Sequence, residues 1–105
     1  MMFLHGSPYD ARKLTFIAVV DVDPASPQYG RIVHRTDMPN VGDELHHFGW
    51  NACSSACHSQ LARDTLVVPG FRSSRIHLLD VTDPRAPRVR DVIEPQEIFE
   101  NATTT

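Results

Sequence analysis

The sequence predicts an all-β chain that builds part of a β-propeller, and three observations carry that expectation. Short runs rich in Val and Ile are punctuated by Pro, Gly, Asp and Ser. One strand, Asp-Pro turn, strand unit occurs twice, and 105 residues hold only two such units. A propeller needs at least about four blades of roughly 40 to 50 residues. Two units cannot close a ring, so the expected architecture is an unclosed piece of about two blades.

In chain order, residues 1–12 are expected as an N-terminal tail. The runs KLTFIAVVDVD (13–23), GRIVHR (30–35), TLVVPG (65–70), SRIHLLDV (74–81) and VRDVIEP (89–95) read as strands, each four to eight β-branched and apolar residues between turn formers. Eight prolines fall between these runs or at their ends. Proline cannot donate to a sheet ladder or continue a helix, so long helices through them are excluded. Residues 13–95 are thus assigned to the propeller segment, with an insertion at 43–62, and 96–105, ending in ATTT, to a truncated C-terminal end.

The repeat pairs IAVVDVDPASPQYGRIVHRTDMP, from Ile17, with IHLLDVTDPRAPRVRDVIEP, from Ile76. Each copy runs from an apolar strand through Asp-Val, an Asp-Pro turn and a second proline to another strand and a closing proline. Asp21 and Asp80 take the same place in the two copies, so both are assigned to turns and not to catalysis.

Composition excludes several classes of function. With 41% apolar and 22% charged residues the chain is ordinary for a folded protein. Ten Lys and Arg against thirteen Asp and Glu leave no basic excess, and the arginines are scattered, so nucleic acid is not an expected partner. The N-terminus lacks a basic region and an apolar run of secretory length. No segment approaches the roughly 20 apolar residues of a membrane helix. The expectation is a cytoplasmic protein with no membrane partner, whose two cysteines are reduced. In that setting the glycosylation-like NAT at Asn101 has no meaning.

Chemistry-bearing residues gather in DELHHFGWNACSSACHS, Asp43 to Ser59, which holds three of six histidines, both cysteines and the only tryptophan. Imidazole suits Cu, Zn, Fe and Ni, and thiolate adds affinity for soft ions such as Cu(I). His46 and His47 are candidate metal ligands. Adjacent side chains diverge on a strand or a helix, so only one of them serves an inward site unless the backbone turns there. The alternative is that one is a hydrogen-bonded surface residue and the other packs under Trp50. Cys53 and Cys57 do not have the spacing of a zinc knuckle. On a helix capped by Asn51 they would share one face; in a loop they would not, and both readings stand. Their alternative is as small buried apolar groups. His34 and His77, each beside an isoleucine in a strand, read as core-edge or surface residues. Arg72, Ser73, Ser74 and Arg75 form a polar turn able to bind an anion, or simply a turn. No phosphate loop, nucleophile elbow or pair of carboxylates with convincing spacing is present.

The strings VDVDPASPQYGRIVHR, MPNVGDELHHFGWNACSS, LVVPGFRSSRIHLLDV and PRAPRVRDVIEP, in this order, resemble the N-terminal part of the selenium-binding protein family, whose members include methanethiol oxidases. The resemblance covers about residues 15–95. It implies a seven-bladed β-propeller of which this chain forms roughly the first quarter. It also implies copper-dependent oxidation of methanethiol by O2 and water to formaldehyde, hydrogen sulfide and hydrogen peroxide, and selenium binding through cysteine. On the family pattern His46 and His47 are the copper candidates, and Cys53 and Cys57 are the selenium-binding candidates or thiols near the metal. Trp50 would wall off water. Two departures stand out: CSSAC replaces the family's CSSC, and Gly30 stands where animal members carry a selenium-linked cysteine after SPQY. The stretch before Lys13 is also shorter than in the family. A non-catalytic module that binds selenium or a metal is the competing expectation, and a self-contained small β domain with a structural zinc is a third. The 105 residues alone are expected to be inactive.

Overall fold

The computed structural model describes residues 1–6, 12–51 and 60–103. Among these described residues, seven strands form two antiparallel sheets. The first has the order β1 (Met2–Gly6), β2 (Leu14–Val20), β3 (Ile32–Val41); the second has β4 (Gly49–Trp50), β5 (Thr65–Pro69), β6 (Ile76–Asp80), β7 (Arg88–Ile93). Each is a meander in which neighbours in sequence pair, the arrangement that short connections permit. One helix, α1 (Pro95–Thr103), follows.

The repeat is real in three dimensions. After β2, Oδ1 of Asp21 accepts from the Asp23 amide (2.9 Å), and after β6, Oδ1 of Asp80 accepts from the Thr82 amide (2.9 Å). Each following Asp-Pro closes in the same way. Oδ1 of Asp23 and of Asp83 accepts from the amide two residues on (2.9 and 3.1 Å), and their carbonyls accept from Ser26 and Ala86 (3.0 and 3.1 Å). Asp side chains thus take over backbone donors that the turn leaves unpaired. β2–β3 and β6–β7 are two copies of one hairpin, and β1 matches β5 by position.

β2 is the central strand of the first sheet, and Ile17, Ala18, Val19 and Val20 are all buried, which explains its uninterrupted apolar run. The core is shared. Ile17 and Met38 from the first sheet meet Leu66, Val68 and Leu79 from the second, with Leu45 and Val81, under Phe3, Phe48, Trp50 and Val89. The Thr36 hydroxyl also donates to the Pro87 carbonyl (2.7 Å) across the two sheets. The architecture is mostly β, as expected, in two meandering sheets.

Three boundaries differ from expectation. Residues 2–6, expected as tail, are an edge strand whose partner β2 supplies the ladder and whose Phe3 meets Trp50 edge-on (6.1 Å). An isolated apolar run of four residues carries no period, so only the tertiary partner reveals it. β3 extends through Pro39, which lies in the irregularity of the ladder between the Phe16–Asp37 and Leu14–Val41 pairs, where a residue without an amide donor is tolerated. The C-terminal stretch is a nine-residue helix. Pro95 occupies its first position, and Oε2 of Glu97 accepts from the Glu94 amide (3.3 Å), half of a capping box. Among the described residues, no helix is long and apolar enough to cross a membrane.

Candidate functional site

Residues 43–48 cross the end of β5 on the way to β4. Leu45 is fully buried and forms a bridge with Gly70, and the His46 amide donates to the Pro69 carbonyl (3.0 Å). With Leu45 as anchor, Glu44 and His46 point towards solvent. Their neighbours across the turn are residues 70–75, where the amides of Phe71 and Arg72 donate to the carbonyls of Glu44 (2.8 Å) and Asp43 (3.2 Å). Gly70 is needed at this crossing. A Cβ there would lie 2.6 Å from the Ser73 hydroxyl and 3.0 Å from the Asp43 carbonyl.

The backbone does turn at the histidine pair. His47 has φ +50° and Glu44 φ +52°, the left-handed region that residues with a Cβ rarely adopt. As a result the His46 and His47 rings do not diverge. They stack, with centroids 5.8 Å apart and planes 28° from parallel. The turn brings the two rings side by side, and it was invisible in sequence because nothing at His47 signals a positive φ.

His46 lies at the centre of a group of rings. Besides His47, it faces Phe71 edge-on (5.5 Å) and His5 of β1 (5.7 Å), and His5 in turn meets Phe48 edge-on (5.9 Å). Sequence reasoning missed His5, which reaches the pair only because β1 joins the first sheet. No signal in the sequence links it to residues some forty positions away. The three imidazoles form a row and do not converge: among the described residues no group of three or more His, Cys, Asp or Glu is placed to hold a metal ion.

Nε2 of His46 lies 3.4 Å from Oε1 of Glu44, and Arg72 Nε pairs with the other oxygen of that carboxylate. The hydrogen bond from His46 is the main reason the Glu44 carboxyl lies below its ordinary pKa; burial opposes it, and the Arg72 contact adds to the lowering. A carboxylate accepting from one imidazole nitrogen fixes the tautomer and leaves the other nitrogen, Nδ1, with a free lone pair, the arrangement common behind histidine metal ligands. Cys53 and Cys57 lie outside the described residues. Asn51 donates through Nδ2 to the Ala62 carbonyl (3.2 Å) and through its amide to the Thr65 carbonyl (3.0 Å).

Beneath this turn lies a charged cluster. Asp43 and His77 are both fully buried, with Oδ2 and Nε2 3.2 Å apart but not aligned for a straight hydrogen bond. Arg75 donates through Nη1 to Oδ1 of Asp43 and through Nε to Oε2 of Glu94 (3.0 Å each). These two hydrogen bonds raise the Arg75 pKa further above its ordinary value. His77 is therefore a buried, charge-facing residue and not a core-edge or surface one. His34 lies half-buried on β3.

The model of the 56kDa selenium binding protein family (SBP56) matches residues 3–105. The chain is 53% identical over 90 residues to a methanethiol oxidase of Xenopus laevis and 54% identical over 85 residues to one of Homo sapiens. To selenium-binding protein 2 of Arabidopsis thaliana it is 52% identical over 91 residues. These alignments cover 83%, 79% and 84% of this chain but 19%, 18% and 18% of the relatives, so the chain spans about a fifth of the length of the curated relatives it matches. The X-ray structure of a hypothetical selenium-binding protein from Sulfolobus tokodaii superposes with a TM-score of 0.76 at 51% identity, over 85% of this chain and 21% of that one. A match over nearly the whole chain, with the same fold at this identity, leaves one conclusion: the chain belongs to the 56kDa selenium binding protein family.

Proposed function

We propose that this chain contributes two blades and part of the metal site to a copper-dependent methanethiol oxidase with a seven-bladed β-propeller. The stacked His46–His47 pair on a left-handed turn, with Glu44 behind His46, is the observation that carries this reading. Relatives about half identical to the chain bear the name methanethiol oxidase.

The reaction, methanethiol with O2 and water to formaldehyde, hydrogen sulfide and hydrogen peroxide, moves two electrons from carbon to oxygen. No side chain of the chain transfers them, so bound copper would supply the redox step. His46 and His47 would hold it, since neutral imidazole suits copper, with other ligands coming from blades beyond these 105 residues. Glu44 orients His46 and keeps its Nδ1 free of a proton. Phe71 and Phe48 line the approach with apolar surface suited to a methyl thiol. Cys53 and Cys57 are the proposed selenium acceptors or neighbouring thiols, and the protein is assigned to the cytoplasm, where such thiols stay reduced.

A second reading, a non-catalytic propeller that takes up selenium or a metal, is favoured by relatives named for selenium binding. The experiment that separates them measures copper by mass spectrometry, and hydrogen peroxide released from methanethiol, on the full-length protein. Stoichiometric copper lost on His46→Ala and His47→Ala supports the oxidase. Metal-free protein that retains selenium, and releases it on Cys53→Ser or Cys57→Ser, overturns it in favour of the binding module.

A further inference from the structure

We infer that the free edge of β1 is the seat of a fourth strand, supplied by the segment of the full-length protein that follows the last unit of the propeller; the inference rests on the ring architecture proposed above. Among the described residues the first sheet has the order β1-β2-β3 and the second β4-β5-β6-β7. The ladders match residue for residue. Phe3, Leu4 and His5 pair with Val19, Ala18 and Ile17, just as Val67, Val68 and Pro69 pair with Leu78, His77 and Ile76, which the repeat equates with those three residues of β2. β1, β2 and β3 are therefore the counterparts of β5, β6 and β7, with Gly6 in the place of Gly70. Among the described residues of the first sheet, nothing stands in the place of β4.

That place is formed to accept main chain. On the β4 side of β5, the Thr65 carbonyl accepts from the Asn51 amide and the Pro69 carbonyl from the His46 amide (3.0 Å each), while Gly49 and Trp50 pair antiparallel with Val67 and Leu66. Peptide groups of successive residues point to opposite edges of a strand, so residues 65, 67 and 69 serve β4. By the match, Phe3 and His5 direct their amides and carbonyls to the free edge of β1. A row of such groups on a sheet edge is a template for another strand, and a closed ring leaves only short, protected edges.

Topology names the occupant. From β3 the chain passes through residues 42–48 to β4, on the side of the next sheet opposite β7. In a closed ring the sheet that comes after the last unit is the first one, so the same step carries the chain from the last unit to β1. A strand tethered within the same molecule also outcompetes a second copy through its high effective concentration. The match sets the counterpart of residues 43–48 beside His5 and Gly6, as Leu45 bridges Gly70, so the arriving segment borders the row of imidazoles at His5.

Amide hydrogen exchange on the full-length protein, compared with a variant that stops after the last unit's counterpart of β7, tests this. The reporters are the amides of Phe3 and His5, with those of β5 and β6 as internal controls. In the intact protein the reporters are expected to exchange about 100-fold or more slowly than in unstructured peptide, and in the shortened variant to come within about tenfold of it, while β5 and β6 hold. Unprotected Phe3 and His5 in the intact protein overturn the inference. So does protection that survives the shortening, the mark of another segment, or that disappears on dilution, the mark of a second copy. Should the shortened variant unfold, its β5 and β6 amides reveal that, and backbone NOEs from the Phe3 and His5 amides of the intact protein identify the partner strand and decide alone. Copper content in the same samples is a separate readout: its absence sinks the oxidase reading and leaves the fourth strand standing, whereas an open β1 edge with copper bound sinks only the fourth strand.

Discussion

His46 and Glu44, two residues apart, face each other at 3.4 Å between Nε2 and Oε1 because both flank the buried Leu45, and Arg72 holds the second oxygen of the same carboxylate. The Glu44 carboxyl consequently titrates below its ordinary value near 4.5, first through His46 and then through Arg72. A depressed carboxyl stabilises the fold above its unfolded value, and that contribution disappears as pH falls through the folded value. The turn should therefore loosen only below about pH 4.5. An NMR titration of the Glu44 side chain should find its midpoint below that of an unstructured glutamate, and Glu44→Gln should remove this acid-side loosening. A midpoint at the ordinary value would show that the contact is not populated in solution.

His47 offers a way to remove an imidazole without disturbing the turn. Asparagine tolerates the left-handed region better than other residues with a Cβ, so His47→Asn should leave the stability of the full-length protein within about 0.5 kcal/mol of wild type. Copper content should fall as far as in His46→Ala. Full copper retention in His47→Asn would exclude His47 as a ligand. His47→Val, β-branched at φ +50°, should destabilise the protein as well.

Gly70→Ala tests how closely the two turns are fitted. The added methyl meets the Ser73 hydroxyl, which already accepts from the Arg75 amide, and the Asp43 carbonyl, which is backbone and cannot swing aside. A cost of about 1–3 kcal/mol is expected in urea unfolding, with metal affinity falling in parallel because the His46–His47 turn must shift. An unchanged unfolding midpoint would mean that the turns have more room than the contacts indicate.

Leu79 probes the shared core. It is fully buried among residues of both sheets, and Leu79→Ala should cost about 2–5 kcal/mol. Leu4→Ala, at a position 44% exposed on the edge strand, should stay within about 0.5 kcal/mol. Equal effects of the two substitutions would contradict the core described above.

Much of this molecule was determined by the sequence itself. Runs of Val and Ile between turn formers specify strands because period and composition are local properties. The duplicated Asp-Pro turns could be read for the same reason: each closes on atoms within five residues of its aspartate. The Cys/His segment stood out as chemically unusual by composition, and its long strings carried the family. Only tertiary structure decided that residues 2–6 are a strand, that His5 joins His46, that the His46–His47 rings stack, and that Asp43 and His77 are buried facing each other. Each of these depends on the partner that folding brings across, through a ladder to β2, a left-handed backbone angle held by neighbouring segments, or a pairing between residues more than thirty positions apart. A pattern along the chain records periodicity and turn chemistry, whereas the site is made by contacts whose two halves lie too far apart in sequence to mark one another.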